Sequence, residues 1–170
     1  PAALAAEADD LLLVGPDATW TYFDSEGGPS VADGALSWTR GGYDTTGWKT
    51  AVGPFGAKKG AATGISGGFT VNTLLTQYKA GTDKDIETYF FRTTFTLSAA
   101  DLARVRSLSA SFAHDDGAIV YLNGQEAGRY DTAEVDTSVL MQYAGANDGD
   151  PITVSGAALD SGLLVEGENV

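Results

Sequence analysis

Short runs of alternating apolar and polar residues recur along this chain, and turn-forming residues separate them. The pattern is clearest at residues 19–23, 88–97, 108–113 and 118–122, where aromatic or β-branched side chains alternate with smaller or polar ones. Successive side chains of a strand point to opposite faces, so each run predicts a half-buried β-strand. Glycine, aspartate and proline clusters between the runs are typical of an all-β sandwich or barrel.

The most specific local signal is the dipeptide Asn123-Gly124. It lies between the run at residues 118–122 and a second strand-like run at residues 125–130. Asn-Gly favours a two-residue hairpin turn because both residues tolerate positive φ. We therefore expect Asn123 and Gly124 at the centre of a tight turn.

Two further segments suggest helical structure. Ser98-Ala99-Ala100-Asp101 resembles a capping box, with aspartate in place of the usual glutamate, and predicts one short helical turn. Residues 156–164 have a weak helical spacing.

Composition and charge exclude several classes of protein. The 170 residues fit one domain, which we place at residues 11–170; the alanine-rich residues 1–10 are interpreted as a leader remnant or linker. The absence of cysteine excludes disulfides and thiol chemistry. A net charge of −13 disfavours nucleic acid and anionic membrane surfaces. No apolar run reaches the ~18 residues of a membrane span, so membrane insertion is not expected.

The residues needed for catalysis are scarce. His114 is the only histidine, whereas a nucleophilic triad needs an oriented base and a two-metal hydrolase needs many ligands. We interpret His114 as structural, and we predict no catalytic residue, no metal site and no required cofactor. One alternative stays open, a structural Ca²⁺ ion at the acidic turn of residues 147–150.

Five residues are candidates for ligand binding: Trp38, Tyr43, Arg92, Asp115 and Asp116. Trp38 and Tyr43 lie in a glycine-rich irregular stretch, where an aromatic ring can stay exposed for a sugar to stack on. Arg92 lies in mid-strand, and the two aspartates lie at a turn, where either can face a cleft. The structural alternatives are an ion pair between Arg92 and one aspartate, and local backbone hydrogen bonds to both aspartates.

The order of these elements resembles the galactose-binding-like jelly roll. The matching motifs are, in chain order, Trp20-x-Tyr22, Asp44-x-x-x-Trp48, Gly53-Pro54-Phe55-Gly56, Tyr89-x-Phe91-Arg92-x-x-Phe95, Asp115-Asp116-Gly117-Ala118-x-Val120-Tyr121-x-Asn123-Gly124, Arg129, and Gly167-Glu168-Asn169. The resemblance implies an antiparallel β-sandwich of jelly-roll topology. It also implies that Gly-x-Asn opens a final strand, so we expect this chain to be a segment that lacks its last strand.

Similar domains accompany bacterial calcineurin-like or purple-acid-type metallophosphoesterases, and others are the sugar-binding domains of β-glycosidases. In both groups the catalytic residues lie elsewhere in the polypeptide. The resemblance therefore implies a non-catalytic accessory module of a secreted or cell-surface bacterial hydrolase, with a metallophosphoesterase favoured. Its expected partners are a carbohydrate or glycan, or the neighbouring catalytic domain. The alternatives are a purely structural interdomain spacer and the sugar-binding domain of a glycoside hydrolase.

Overall fold

The computed structural model describes residues 10–145 and 150–170. Strands hold 33% of these residues and helices 8%, so the predicted all-β class is confirmed. No helix in the described ranges is long and apolar enough to cross a membrane. The predicted leader, apart from residue 10, and most of the predicted calcium turn at residues 147–150 lie outside the described residues.

The described ranges contain strands, one short α-helix and two 3₁₀ turns. The strands are β1 Thr19–Phe23, β2 Lys49–Val52, β3 Phe55–Gly56, β4 Thr73–Leu74, β5 Phe90–Arg92, β6 Phe95–Leu97, β7 Leu108–His114, β8 Ala118–Leu122, β9 Gln125–Tyr130, β10 Ile152–Leu159 and β11 Gly167–Asn169. Helix α1 is Ala99–Arg104, and the 3₁₀ turns are Ser37–Thr39 and Ser161–Leu163.

The largest sheet has three strands, with β1 between β2 and β5 and both pairings antiparallel. Tyr22 and Phe91 lie opposite each other on one face, with ring centroids 6.2 Å apart. Phe55 closes this cluster, at 5.0 Å from Tyr22 and 4.9 Å from Phe91. Phe23 and Phe90 are opposite each other on the other face, because each is the sequence neighbour of Tyr22 or Phe91 and adjacent residues of a strand point to opposite faces. The sheet therefore carries aromatic side chains on both faces.

The remaining strands pair two by two. The pairs β6–β11, β7–β10 and β8–β9 are antiparallel, whereas the short pair β3–β4 is parallel. The prediction of one continuous strand over residues 88–97 is wrong. The segment divides at Thr93 and Thr94, because its first half pairs with β1 and its second half with β11.

A cluster of leucines forms the core around β6, β8 and the second 3₁₀ turn. Leu97, Leu122 and Leu164 are each at most 7% exposed. Partly buried side chains from β6, α1, β7, β9 and the second 3₁₀ turn, and from the segments before β1 and after α1, pack against this cluster: Leu13, Phe95, Leu102, Val105, Leu108, Ala127 and Leu163. Because its residues come from β6, β8 and the segment after the second 3₁₀ turn, this cluster joins strands of separate sheets. Burial of each leucine side chain stabilises the fold by about 1.5–3 kcal/mol.

The local predictions have mixed outcomes. Asn123 and Gly124 have φ of 52° and 88°, which confirms the predicted hairpin turn. Ser98 Oγ accepts a hydrogen bond from the Asp101 amide at 3.1 Å, which confirms the predicted helix cap. The weak helical interpretation of residues 156–164 is wrong. Strand β10 runs to Leu159, because a bulge with Gly156 at φ 61° keeps it paired with β7, and helical structure is limited to the short 3₁₀ turn.

Two asparagines, Asn123 and Asn169, join the hairpin turn to strand β11, and we call them the amide network. Asn169 is fully buried; its Oδ1 accepts from Asn123 Nδ2 and the Val165 amide, and its Nδ2 donates to the carbonyls of Val165 and Gly167. Asn123 Oδ1 accepts from the Val170 amide at 3.0 Å. The Gly-x-Asn motif thus forms a strand whose asparagine has a structural role.

Candidate functional site

Three of the predicted site residues, Trp38, Tyr43 and Arg92, lie together beside the three-stranded sheet, and we call them the aromatic–arginine group. Arg92 ends β5 and shares a face with Phe90. Its guanidinium lies 5.5 Å from the centre of the Tyr43 ring. Trp38, in the first 3₁₀ turn, packs edge-on against Phe90 at 5.1 Å and against Tyr121 at 5.6 Å.

Backbone and side-chain hydrogen bonds fix the loop that carries Tyr43. The Tyr43 hydroxyl donates to the Ser30 carbonyl at 3.0 Å, and its ring lies edge-on to Trp48 at 5.9 Å. Asp44 Oδ1 accepts from the amide and hydroxyl of Thr46, and these bonds lower the pKa of Asp44. Burial raises the pKa of Tyr43. The phenol therefore stays neutral near pH 7 and can act as a hydrogen-bonding and stacking surface.

Arg92 does not form the ion pair that the sequence suggested. Its Nη2 donates to the Arg40 carbonyl at 2.9 Å, and no ion pair of the described residues includes Arg92. A guanidinium offers five donors, so a backbone carbonyl and an aromatic face can replace a carboxylate as neighbours. Burial lowers the pKa of Arg92, and Tyr43 and Glu168 act in the opposite direction. The group remains charged because an arginine pKa starts so high.

Two N–H donors of the aromatic–arginine group are buried without an acceptor. Within the described ranges, neither Trp38 Nε1 nor Arg92 Nη1 has a hydrogen-bond partner. An unsatisfied buried donor costs roughly 1–3 kcal/mol, and nearly all such donors in native proteins find a partner in protein or water. Each of the two donors therefore retains the capacity to donate to one oxygen acceptor.

The structure separates Asp115 and Asp116 from this group. Arg92 donates a hydrogen bond to the Arg40 carbonyl, and the Arg40 side chain packs beside Gly124 at one end of β8. A Cβ added to Gly124 would lie 2.8 Å from Arg40 Cγ. The two aspartates precede the other end of β8, and its 5 residues alone span about 17 Å. The five predicted residues thus lie in two separate regions. Trp38, Tyr43 and Arg92 form one of them, and Asp115 and Asp116 lie in the other. Asp115 Oδ1 accepts the Asp116 amide at 3.2 Å, as the structural alternative expected.

The place that contains the aspartates is organised around His114 and Asp131, which we call the histidine–aspartate pair. His114 ends β7 with its side chain 4% exposed, and its Nε2 lies 3.4 Å from Asp131 Oδ2, whose side chain is 57% exposed. Neither ring nitrogen of His114 makes a hydrogen bond within the described residues. The hydroxyl of Thr132, a residue only 4% exposed, also lacks a partner there.

Sequence reasoning singled out His114 but missed Asp131 and Thr132. The available signal was Tyr130-Asp131 at the end of a predicted strand, because aspartate tolerates the left-handed φ of 52° that the chain adopts there. Arg129 holds this turn in place by donating to the carbonyls of Thr132 and Val135 at 2.8 and 2.9 Å. The pairing of the turn with His114 depends on tertiary structure alone.

The comparisons with known proteins give no relative. No family model, no curated protein and no solved structure matches this chain. Among the described residues, no group of three or more histidine, cysteine, aspartate or glutamate side chains is placed to hold a metal ion.

Proposed function

We propose that this chain is a non-catalytic glycan-binding module of jelly-roll topology, accessory to a secreted or cell-surface bacterial hydrolase. A metallophosphoesterase is the favoured parent, on the resemblance of the motifs. The aromatic–arginine group is the proposed binding site. The observation that carries this proposal is the presence of two buried donors, Trp38 Nε1 and Arg92 Nη1, beside aromatic rings.

A sugar supplies what these donors lack. Its hydroxyl oxygens accept hydrogen bonds, and the apolar face of a pyranose ring packs on an aromatic face. The half-buried ring of Tyr43, fixed by its bond to Ser30, offers such a face. Asp115 and Asp116 have no part in this site, since β8 separates them from it.

The electrostatics favour an uncharged sugar. The chain carries a net charge of −13, and Glu168 contributes to the field at Arg92. An anionic ligand would be repelled by the surrounding carboxylates, whereas a neutral sugar has no net charge. We therefore expect the affinity for a neutral glycan to change little with added salt.

A glycan array followed by calorimetric titration tests the site. We expect a dissociation constant on the order of 0.1–1 mM, because each sugar hydrogen bond replaces one to water. Trp38→Phe keeps the ring packing and removes the N–H, and Tyr43→Ala removes the stacking surface. Each should weaken binding about fivefold or more, which corresponds to about 1 kcal/mol.

Tyr143→Ala is the matched control, because Tyr143 is 56% exposed and lies outside the aromatic–arginine group. It should leave the affinity unchanged. An array without any bound glycan, or binding indifferent to both site variants, would favour the alternative of a purely structural interdomain spacer. Binding to β-glycosidase substrates alone would favour the sugar-binding domain of a glycoside hydrolase.

A further inference from the structure

We propose that the histidine–aspartate pair is an open binding site for a divalent transition-metal ion, with Zn²⁺ as the best match. His114 Nε2 and Asp131 Oδ2 are the two protein ligands. This site is independent of the aromatic–arginine group and of any glycan that binds there. It also differs from the calcium turn that the sequence suggested at residues 147–150.

The imidazole of His114 lacks, among the described residues, the hydrogen-bond partners that a buried ring normally has. A histidine ring has one donor and one acceptor nitrogen when neutral, and buried rings normally satisfy both. His114 is almost fully buried, yet no described residue accepts from or donates to either of its nitrogens. A metal ion that takes the lone pair of Nε2 would satisfy that nitrogen.

The distance between His114 Nε2 and Asp131 Oδ2 is suited to two ligands of one ion. Nε2 and Oδ2 are 3.4 Å apart, and their contact does not have the geometry of a hydrogen bond. Two ligands each about 2.0–2.1 Å from a tetrahedral Zn²⁺ ion are about 3.4 Å apart. The observed separation therefore matches that of two neighbouring ligands of one ion, and it also lies within the range of a histidine–aspartate ion pair.

The turn that contains Asp131 is held in place by contacts on two sides. A Cβ on Gly117 would lie 2.9 Å from the Asp131 carbonyl oxygen and 2.5 Å from Thr132 Cγ2, so Gly117 packs directly against this turn. Arg129 holds the other side through the Thr132 carbonyl. A turn fixed from two sides keeps its carboxylate in position before an ion arrives, which favours binding.

Access and charge also fit a cation. Asp131 is more than half exposed, so an ion can enter from solvent along its carboxylate. Within the described part of residues 130–170 there are acidic residues and no lysine or arginine. Two protein ligands leave the remaining coordination positions of a four-coordinate ion to water, one more than in zinc sites with three protein ligands. The nitrogen ligand distinguishes this site from a calcium site, because Ca²⁺ prefers oxygen alone.

Nuclear magnetic resonance of the single histidine tests the proposal directly. The full chain, tag-free and labelled with ¹⁵N-histidine, has one imidazole because His114 is the only histidine. Addition of ZnSO₄ should shift the Nε2 resonance of that imidazole and saturate at one equivalent. Addition of MgCl₂ or CaCl₂ should leave it unchanged.

Two variants and a matched control separate ligation from general attraction of cations. His114→Ala removes the imidazole that the resonance experiment observes, so calorimetric titration with ZnSO₄ compares the variants. His114→Ala should abolish specific binding, and Asp131→Asn should weaken Zn²⁺ binding at least tenfold. Asparagine tolerates left-handed φ, so Asp131→Asn should keep the turn intact. Asp115→Asn removes the same charge from a neighbouring exposed residue and should change the affinity less than threefold. An unshifted imidazole, or equal affinity of the Asp131→Asn and wild-type chains, would overturn the proposal.

Discussion

Buried polar side chains of neighbouring strands lie near the two ends of strand β8, and their hydrogen bonding differs. At its C-terminal end, all four hydrogen-bonding positions of the Asn169 amide are used, two by Oδ1 and two by Nδ2. At its N-terminal end, His114 is almost as buried, but its ring nitrogens have no hydrogen bond within the described residues. Strand β8 therefore connects the amide network, in which the hydrogen bonds of Asn169 are all made, to the histidine–aspartate pair, in which those of His114 are not made within the described residues.

This difference separates a structural role from a binding role. A buried polar group stabilises a fold only when its hydrogen bonds are made, and a group left unpaired opposes folding. Departures from complete satisfaction are expected at functional sites, where the missing partner is a ligand. We therefore assign the amide network to stability and the histidine–aspartate pair to binding.

The largest effect is expected from Asn169→Ala. The change removes four hydrogen bonds and leaves the Val165 amide and the carbonyls of Val165 and Gly167 without their partner. At about 1 kcal/mol for each bond, the free energy of unfolding should fall by about 3–4 kcal/mol. Chemical denaturation measures this change. Asn72→Ala is the control, because Asn72 is exposed and donates one bond to the Gly53 carbonyl; a loss as large as that of Asn169→Ala would refute the assignment.

A smaller effect is expected from the glycines at the two ends of β8. Gly117→Ala places a methyl group 2.5 Å from Thr132 Cγ2 and 2.9 Å from a backbone carbonyl. Overpacking of this kind costs about 1–3 kcal/mol. Gly124→Ala should cost about 1 kcal/mol, since its φ of 88° disfavours any side chain while the nearest atom belongs to the flexible Arg40. Thermal melts that rank Gly124→Ala as the more damaging change would contradict the tight packing of Gly117 against residues 131 and 132.

The smallest effect is expected from His114→Leu. Leucine is close to histidine in size and removes two ring nitrogens that make no hydrogen bond to the described residues, leaving only the 3.4 Å contact with the exposed Asp131 carboxylate to be lost. Without metal, the free energy of unfolding should change by less than about 1 kcal/mol, in either direction. Denaturation in the presence of a chelator measures it. A loss of several kcal/mol would show that His114 contributes to stability as Asn169 does, and the contrast between the two ends would disappear.

The elements that were predicted correctly are those determined by residues close together in the sequence. The Asn123-Gly124 turn and the Ser98 cap each follow from residues within a few positions of one another, so local chemistry determines them. The division of residues 88–97 depends instead on β1 and β11, which pair with its two halves from distant parts of the chain. The start of strand β10 was predicted at residues 152–154, but its continuation to Leu159 was missed because pairing with β7 overrides the weak local preference of residues 156–164.

The candidate sites show the same limit. Trp38, Tyr43 and Arg92 were predicted from their residue types and do lie together, because β5 and the first 3₁₀ turn meet at Phe90. Asp115 and Asp116 were placed with them because a buried arginine usually takes a carboxylate. The structure supplies the Arg40 carbonyl instead, and a backbone acceptor has no signature in the sequence.

The pairing of β6 with β11 has a consequence for how the chain folds as it is made. Leu97 is opposite Gly167, so β6 gains its partner only after about 70 further residues have left the ribosome. Leu164 and Asn169, which complete the leucine core and the amide network, arrive at the same late stage. Until then Phe95, Leu97 and the unpaired edge of β6 are open to other strands. Pairing between residues so distant in sequence is slow, so a nascent chain stopped before residue 164 should be prone to aggregation.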